Sequence, residues 1–192
     1  MSTRYLTEAA QDPAEIAAFI DLLATEGVSS FLEIGSKFGG SLWRIAQALP
    51  AGSRIVAIDL PGNEGGDVAG EASLKACIEA LNAAGFRAEV IWGDSTDPKV
   101  IARAAALGPF DAVLIDANHS LEFVTRDFAN YGALAGIVAF HDISWRRKNE
   151  WCGKRIEVPI LWAALKVAAA KHQEIRLCPT IKNNGIGVLW RS

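Results

Sequence analysis

The feature that most constrains the fold is the alternation of short apolar segments with helix-forming segments along most of the chain. Five short runs rich in β-branched residues have the composition of buried strands, at residues 30–35, 54–60, 88–92, 111–116 and 136–141. Helix-forming segments lie between or after them, at residues 41–49, 71–84, 98–107 and 120–131. Because strands that alternate with helices form right-handed βαβ units, the sequence predicts a three-layer, doubly wound α/β fold with a mostly parallel sheet.

Local signals mark where the predicted helices begin and end. Asp12-Pro13 offers an N-cap and a proline at the first helical position, and apolar residues follow at helical spacing until Gly27. Asp97 and Gly108 flank the segment 98–107 in the same way. These signals predict a first helix ahead of the first strand and a defined crossover helix before the fourth.

The C-terminal part departs from this alternation. A helical segment at 158–170 is followed by two strand-like segments, "EIRLCPT" and "GIGVLW", which are joined through Asn183-Asn184-Gly185. Asparagine and glycine favour a tight reversal, and strands joined by a short connection run antiparallel. The sequence therefore predicts a seven-stranded sheet that ends in one reversed strand, through a C-terminal antiparallel hairpin.

Length and composition limit the classes of protein to consider. The chain has 192 residues, of which 51% are hydrophobic and 21% charged, and its net charge is −3. These values predict a single domain over residues 1–192 and a small-molecule partner, with no general attraction to nucleic acid or to a membrane. The absence of a signal-peptide core or an apolar span predicts a cytoplasmic protein, and a homo-oligomer is compatible with the sequence. Cys77, Cys152 and Cys178 show no CxxC spacing, which favours three reduced thiols.

Acidic residues and glycines follow the predicted strands at the edge where such sheets bind ligands. The stretch "FLEIGSKFGGS" contains Glu33 and three glycines, and Asp59 and Asp94 end the second and third strands. The spacing is GxxxGG, whereas a dinucleotide fold wants GxGxxG. An acid beside this turn repels a diphosphate and suits the ammonium of an amino-acid moiety, while Asp59 suits ribose hydroxyls. Each acid also has a structural interpretation: Glu33 as a helix cap, and Asp59 and Asp94 as turn residues.

The ordered motifs resemble the class I S-adenosylmethionine-dependent methyltransferases. The resemblance covers nearly the whole chain and resides in ExGxxxGxS, Asp59, Gly93-Asp94 and the block "IDANH…HD". That block is similar to the small-molecule branch with cephalosporin-biosynthesis-type and sugar O-methyltransferases, although Ala117 and Leu121 replace the usual glycine and tyrosine. The resemblance implies an S-adenosylmethionine site formed by Glu33, Gly35, Ser36, Gly39, Ser41, Asp59, Asp94, Ser95 and Asp116.

Two histidines and two acids lie at the ends of the fourth and fifth predicted strands. His119 is the first candidate for the base that deprotonates an acceptor hydroxyl, and His141 is the second. Asp116 is a candidate for either role, base or metal ligand. Asp116, Asp142 and His141 form a candidate site for Mg²⁺, Mn²⁺ or Fe²⁺. Catechol O-methyltransferase, a metal-dependent relative in this resemblance, has acids at both strand ends, but an asparagine where this chain has Ile143.

Other interpretations stay open at the level of sequence. The basic segment 145–155, with Trp145 and Trp151, is either a solvated loop or a lid over the acceptor, and the glycine-rich segment 61–70 is a second mobile candidate. A dinucleotide-dependent oxidoreductase and a non-catalytic nucleoside-binding domain are the alternative functions. A nucleic-acid methyltransferase is disfavoured because the chain lacks an [N/D]PPY tetrad.

Overall fold

A seven-stranded sheet forms the centre of the protein in a computed structural model, which describes residues 11–62, 68–144, 156–177 and 185–191. The strand order is β3-β2-β1-β4-β5-β7-β6. The strands are β1 (Ser30–Ile34), β2 (Arg54–Asp59), β3 (Arg87–Trp92), β4 (Phe110–Ile115), β5 (Ala135–His141), β6 (Lys171–Ile175) and β7 (Ile186–Trp190). The predicted seven-stranded, mostly parallel α/β sheet is confirmed.

Helices cover both faces of this sheet. They are α1 (Pro13–Thr25), α2 (Gly40–Ala48), α3 (Val68–Ala83), α4 (Pro98–Leu107), α5 (Leu121–Tyr131), which continues into a 3₁₀ turn at Gly132–Leu134, and α6 (Val158–Ala168). One core joins α1, α2 and α3 to the sheet, and a second core joins α4, α5 and α6 to its other face. Neighbouring residues Phe31 and Leu32 of β1 enter different cores, because successive strand side chains point to opposite faces. The predicted three layers are therefore present.

The local signals act as expected at two helix starts. The Asp12 carboxylate accepts a hydrogen bond from the amide of Ala14 (2.9 Å), and the Asp97 carboxylate accepts one from the amide of Lys99 (2.8 Å). Proline follows each cap, where its missing N–H costs the helix nothing. These caps fix where α1 and α4 begin.

Parallel register aligns the strand ends that matter for the site. Ile34 of β1 pairs with Ile58 of β2 on one side and Ile115 of β4 on the other, and Ile115 pairs with Phe140 of β5. The strand order runs 3-2-1 in one direction and 4-5 in the other, so it reverses between β1 and β4. Ligands of open α/β sheets bind in the crevice at such a point.

The C-terminal hairpin is confirmed, but two details of its prediction are wrong. The reversed strand β7 lies between β5 and β6, so it is not the edge of the sheet. The first hairpin strand is Lys171–Ile175, whereas the segment "EIRLCPT" begins at Glu174. Its first three residues are polar and exposed, as suits an edge strand, so no apolar pattern revealed it. Asn183 and Asn184 of the predicted turn lie outside the described residues.

Candidate active site

The glycine turn, defined as residues 35–40, follows β1 at the reversal point of the sheet. Gly35 has φ of +88°, and a Cβ there would lie 2.4 Å from the carbonyl oxygen of Asp116. Gly39 has φ of +84°, and a Cβ there would lie 2.8 Å from Cβ of Cys77. Both positions therefore require glycine because of the protein's own neighbouring atoms, and this requirement explains part of the glycine-rich pattern without a ligand.

Glu33 lies fully buried beneath the glycine turn. Its Oε1 accepts a hydrogen bond from the Ser41 hydroxyl at 2.6 Å, and its Oε2 has no hydrogen-bond partner among the described residues. Burial raises the pKa of Glu33 to about 7. Within helix α2, the donor to Glu33 is the hydroxyl of Ser41 in the first turn and not a backbone amide, so Glu33 is not a cap of the usual kind.

Asp59 joins the end of β2 to the glycine turn. One carboxylate oxygen accepts a hydrogen bond from the amide of Lys37, and the other accepts one from the amide of Leu60 at 2.7 Å. Burial raises the pKa of Asp59. The carboxylate is thus held in place by two backbone amides, and each oxygen retains a lone pair for a further donor.

Asp94 lies exposed at the end of β3, in the role of a turn residue. Its Oδ1 accepts hydrogen bonds from the amide and the hydroxyl of Thr96, both at 2.7 Å, which is the geometry of an Asx turn. The carbonyl of Ser95 accepts a hydrogen bond from the Tyr131 hydroxyl at 2.6 Å. The interpretation as a turn residue is confirmed for Asp94, and contacts of Asp94 and Ser95 with a cofactor stay predictions.

The Asp–His cluster, defined as Asp116, His119, His141 and Asp142, lies at the ends of β4 and β5. Nε2 of His119 is 2.9 Å from Oδ2 of Asp142 and 3.4 Å from Oδ1 of Asp116. Nδ1 of His141 is 3.1 Å from the same Asp116 oxygen and 3.3 Å from Oδ1 of Asp142. The structure thus brings together all four residues that the sequence placed at these strand ends.

Charge within the Asp–His cluster shifts every resolved pKa toward the ionised forms. Burial alone lowers the pKa of each histidine, but the two carboxylates raise it overall, to about 10 for His119 and about 9 for His141. Burial alone raises the pKa of Asp116, but the two imidazoles lower it overall. Both histidines are therefore protonated near pH 7 in this arrangement.

Three members of the cluster have the spacing of metal ligands. Asp116, His119 and Asp142 each offer one ligand atom, and these atoms lie within 4.8 Å of one another. His119 takes the place that the sequence-based set gave to His141, whose buried Nε2 has no hydrogen-bond partner among the described residues. Carboxylate and imidazole ligands fit Mg²⁺, Mn²⁺ or Fe²⁺, and such a cation would displace the imidazole protons.

Comparison with known families identifies the family of this chain. A family model described as a methyltransferase domain matches residues 32–143, which is more than half of the chain and extends from β1 to just beyond β5. The chain belongs to this methyltransferase family. A comparison with curated protein sequences found no match. The predicted methyltransferase class is confirmed, and family membership disfavours the dinucleotide-dependent oxidoreductase.

Solved structures share the fold of this methyltransferase at low sequence identity. An O-methyltransferase from Bacillus cereus in complex with SAH has a TM-score of 0.70 and 20% identity, over 94% of this chain and 82% of that one. The O-methyltransferase TomG from Streptomyces achromogenes, in complex with SAM, has a TM-score of 0.70 and 17% identity, over 94% and 81%. A SAH-bound methyltransferase from Podospora anserina has a TM-score of 0.63 and 15% identity, over 92% and 78%.

Two buried polar side chains of the methyltransferase follow no motif, and one of them contacts the Asp–His cluster. Nε2 of Gln11 donates a hydrogen bond to Oδ2 of Asp116 at 2.7 Å, across 105 positions of sequence. Asp127 of α5 is fully buried, and neither of its oxygens has a hydrogen-bond partner among the described residues. Burial raises the pKa of Asp127 to about 6. An acid on the apolar face of α5, between Val124 and Tyr131, was the one available signal.

Two segments that the sequence indicates as mobile candidates lie wholly or partly outside the described residues. The basic segment 145–155 and residues 63–67 of the glycine-rich segment lie outside the described residues, so the lid over the acceptor stays a prediction. After the basic segment, the amide of Glu157 donates a hydrogen bond to the carbonyl of His119 (2.7 Å), and the Glu157 carboxylate accepts a hydrogen bond from the amide of Leu121 (2.9 Å). Within the described residues, the methyltransferase has no helix long and apolar enough to cross a membrane.

Proposed function

We propose that this chain transfers a methyl group from S-adenosylmethionine to a hydroxyl oxygen of a small-molecule acceptor. The observation that carries the proposal is the position of the Asp–His cluster at the ends of β4 and β5, beside the glycine turn after β1. Family membership supports methyl transfer. The SAM and SAH complexes of the two similar O-methyltransferases support the donor and the oxygen acceptor.

The donor half of the site is the glycine turn with Glu33 and Asp59. The free Oε2 of Glu33 supports a role toward the ammonium of the donor, because a nearby cation lowers the raised pKa of a buried acid and favours the carboxylate. Asp59 is held by two amides in a fixed orientation and has lone pairs left for ribose hydroxyls. The hydroxyl of Ser36, buried and without a hydrogen-bond partner of ordinary geometry among the described residues, is a third polar group there.

The acceptor half of the site is the Asp–His cluster. In the reaction, the acceptor oxygen attacks the methyl carbon as the carbon–sulfur bond breaks, S-adenosylhomocysteine leaves, and the hydroxyl proton passes to a base. His119 remains the proposed base, but with a pKa of about 10 it must first lose a proton. Asp116, His119 and Asp142 would hold a divalent cation, and in that form His119 is a ligand and not the base. When bound, such a cation lowers the pKa of an acceptor hydroxyl.

Turnover measurements test the proposal. Purified protein is incubated with S-adenosylmethionine and a panel of catechols, phenols and sugars, each with chelator or with Mg²⁺, Mn²⁺ or Fe²⁺, and the products are identified by mass spectrometry. We expect one acceptor class to gain a methyl group on oxygen, with equimolar S-adenosylhomocysteine, and the His119→Ala variant to bind the donor but lose turnover. Donor binding without methylation of any acceptor would favour the non-catalytic nucleoside-binding domain.

Three further properties belong to this proposal. A cytoplasmic location, a single domain over residues 1–192 and a homo-oligomer agree with the composition. Cell fractionation, limited proteolysis and light scattering test them in turn.

A further inference from the structure

Gln11 holds the central carboxylate of the Asp–His cluster from outside the sheet. Its amide nitrogen binds Oδ2 of Asp116, which leaves Oδ1 facing Nδ1 of His141 and Nε2 of His119. The χ2 torsion of an aspartate has only broad energy minima, so a hydrogen bond to one carboxylate oxygen determines how the Asp116 carboxylate is oriented. Gln11 is buried, at 7% exposure, and donates without adding charge.

Glu15 makes a second polar contact from the same end of α1. It is fully buried, and its Oε2 accepts a hydrogen bond from the amide of Gly185 at 2.9 Å. The carbonyl of Gly185 in turn accepts one from the amide of Ile143 at 3.4 Å. Ile143 follows Asp142, whose φ of +65° is unusual for a residue with a side chain. Glu15 therefore acts on the backbone that presents Asp142.

Gly185 transmits this contact because it fits tightly under the end of β5. A Cβ at Gly185 would lie 2.5 Å from the Ser144 hydroxyl oxygen and 3.0 Å from Cγ1 of Ile143. Gly185 thus lies directly against Ile143 and Ser144, the two residues that follow Asp142, and the buried carboxylate of Glu15 accepts a hydrogen bond from the amide of Gly185.

We propose that Gln11 and Glu15 are positioning residues of the Asp–His cluster: Gln11 orients Asp116 directly, and Glu15 orients Asp142 through Gly185. This inference rests on the proposed methyl transfer. It makes α1, which precedes the family-model match at residue 32, part of the catalytic apparatus. Electrostatic attraction between Glu15 and His141 supports their proximity: burial raises the pKa of Glu15, and His141 acts to lower it.

Docking of α1 onto the sheet does not depend on these two polar contacts. Ile16, Phe19 and Leu23 have at most 2% exposure and join the core on that face of the sheet. Burial of the Glu15 carboxylate costs stability, and hydrogen bonds from the amides of Gly185 and Leu177 offset part of that cost. The two functions of α1, packing and positioning, can therefore be separated by mutation.

The experiment compares variants that keep shape and change one contact. Gln11→Met removes the donor to Asp116, Glu15→Met removes the acceptor for Gly185, and Glu15→Gln restores an acceptor without charge. Ala24→Gly, which lowers the helix propensity of α1 at an exposed position near its C-terminal end, is the matched control for weakened helix stability. Each variant is assayed for thermal unfolding, donor affinity, and kcat and KM with an acceptor that the wild type methylates.

We expect both Met variants to keep the donor affinity of the wild type and to lose about tenfold or more in kcat, as for the loss of a hydrogen bond to a charged group. Glu15→Gln should recover most of the kcat that Glu15→Met loses. Equal kcat in Gln11→Met and wild type would overturn the inference. A loss of kcat in Ala24→Gly as large as in the Met variants, at a similar unfolding temperature, would overturn it as well.

A second readout needs no acceptor and separates this inference from the proposed function. The chain has three histidines, so the ring Cε1–H NMR signals can be assigned by single substitutions. Gln11→Met should shift the signals of His119 and His141 and leave that of His172, which lies on the edge strand β6. Unshifted His119 and His141 signals would contradict the positioning role, whereas failure of the wild type to bind the donor or turn over would contradict only the proposed function.

Discussion

At the scale of single residues, the site is defined by ionisable groups that burial and mutual charge move away from their ordinary pKa values. Glu33 is a buried acid with a pKa of about 7, and His119 and His141 are imidazoles held protonated by two carboxylates. The protonated imidazoles neutralise the charge of Asp116 and Asp142. A divalent cation bound to the cluster would neutralise the same two carboxylates. Protons and a divalent cation would therefore compete for one site.

The raised histidine pKa values predict a stability that falls as pH rises. A group whose pKa is higher in the folded than in the unfolded chain stabilises fully below its unfolded value, here 6.5, and that contribution is lost as pH passes the folded values of about 9 and 10. We expect the unfolding free energy of the chelator-treated protein to fall between pH 7 and 9.5, by about 2–3 kcal/mol for each histidine. Urea unfolding at several pH values measures it.

A pair of matched variants tests whether the histidines of the Asp–His cluster cause this pH dependence. His141→Gln should remove about half of the decline, since His119 still contributes, whereas His172→Gln, in the exposed edge strand β6, should leave it unchanged. A wild-type free energy that stays constant from pH 7 to pH 9.5 would show that the carboxylates do not hold the imidazoles protonated.

At the scale of elements, the sequence predicted the strands and helices whose positions depend on apolar patterns and helix caps. The five parallel strands and their crossover helices lie within three residues of the predicted bounds, because buried strands carry continuous apolar runs and because Asp12 and Asp97 mark helix starts. The strand β6 was misplaced because an edge strand is polar. Glu33, Asp59 and Asp116 could be placed at one edge because parallel strand ends align, whereas the Gln11 contact to Asp116 follows no periodicity.

The glycine turn carries a prediction at this scale. Gly35→Ala should cost about 3 kcal/mol or more of unfolding free energy, since Cβ would meet the Asp116 carbonyl at 2.4 Å in a left-handed conformation. Gly27→Ala is the control, because φ there is +69° but no atom lies within 4 Å of the added Cβ, so about 1 kcal/mol is expected. Urea unfolding compares them, and an equal loss in both variants would mean that the contact between β1 and β4 is looser than the structure shows.

At the scale of the whole molecule, one topological feature brings the two halves of the site together. The strand order reverses between β1 and β4, so the glycine turn and the Asp–His cluster share the carboxyl edge of the sheet. The C-terminal hairpin places β7 against β5, and Gly185 just before β7 connects that edge to Glu15 of α1. Helix α1 and strand β7 thus meet at the ends of β4 and β5, which is where we propose that the acceptor binds.

Calorimetric titration of S-adenosylmethionine into the chelator-treated protein tests the central claim, that this edge is the donor site, most directly. We expect one binding site in the wild type, loss of the binding heat in Asp59→Ala, and unchanged affinity in Asp97→Ala, which removes a helix cap at the same sheet edge without touching the glycine turn. No heat with the wild type, or equal affinity in Asp59→Ala, would contradict the claim.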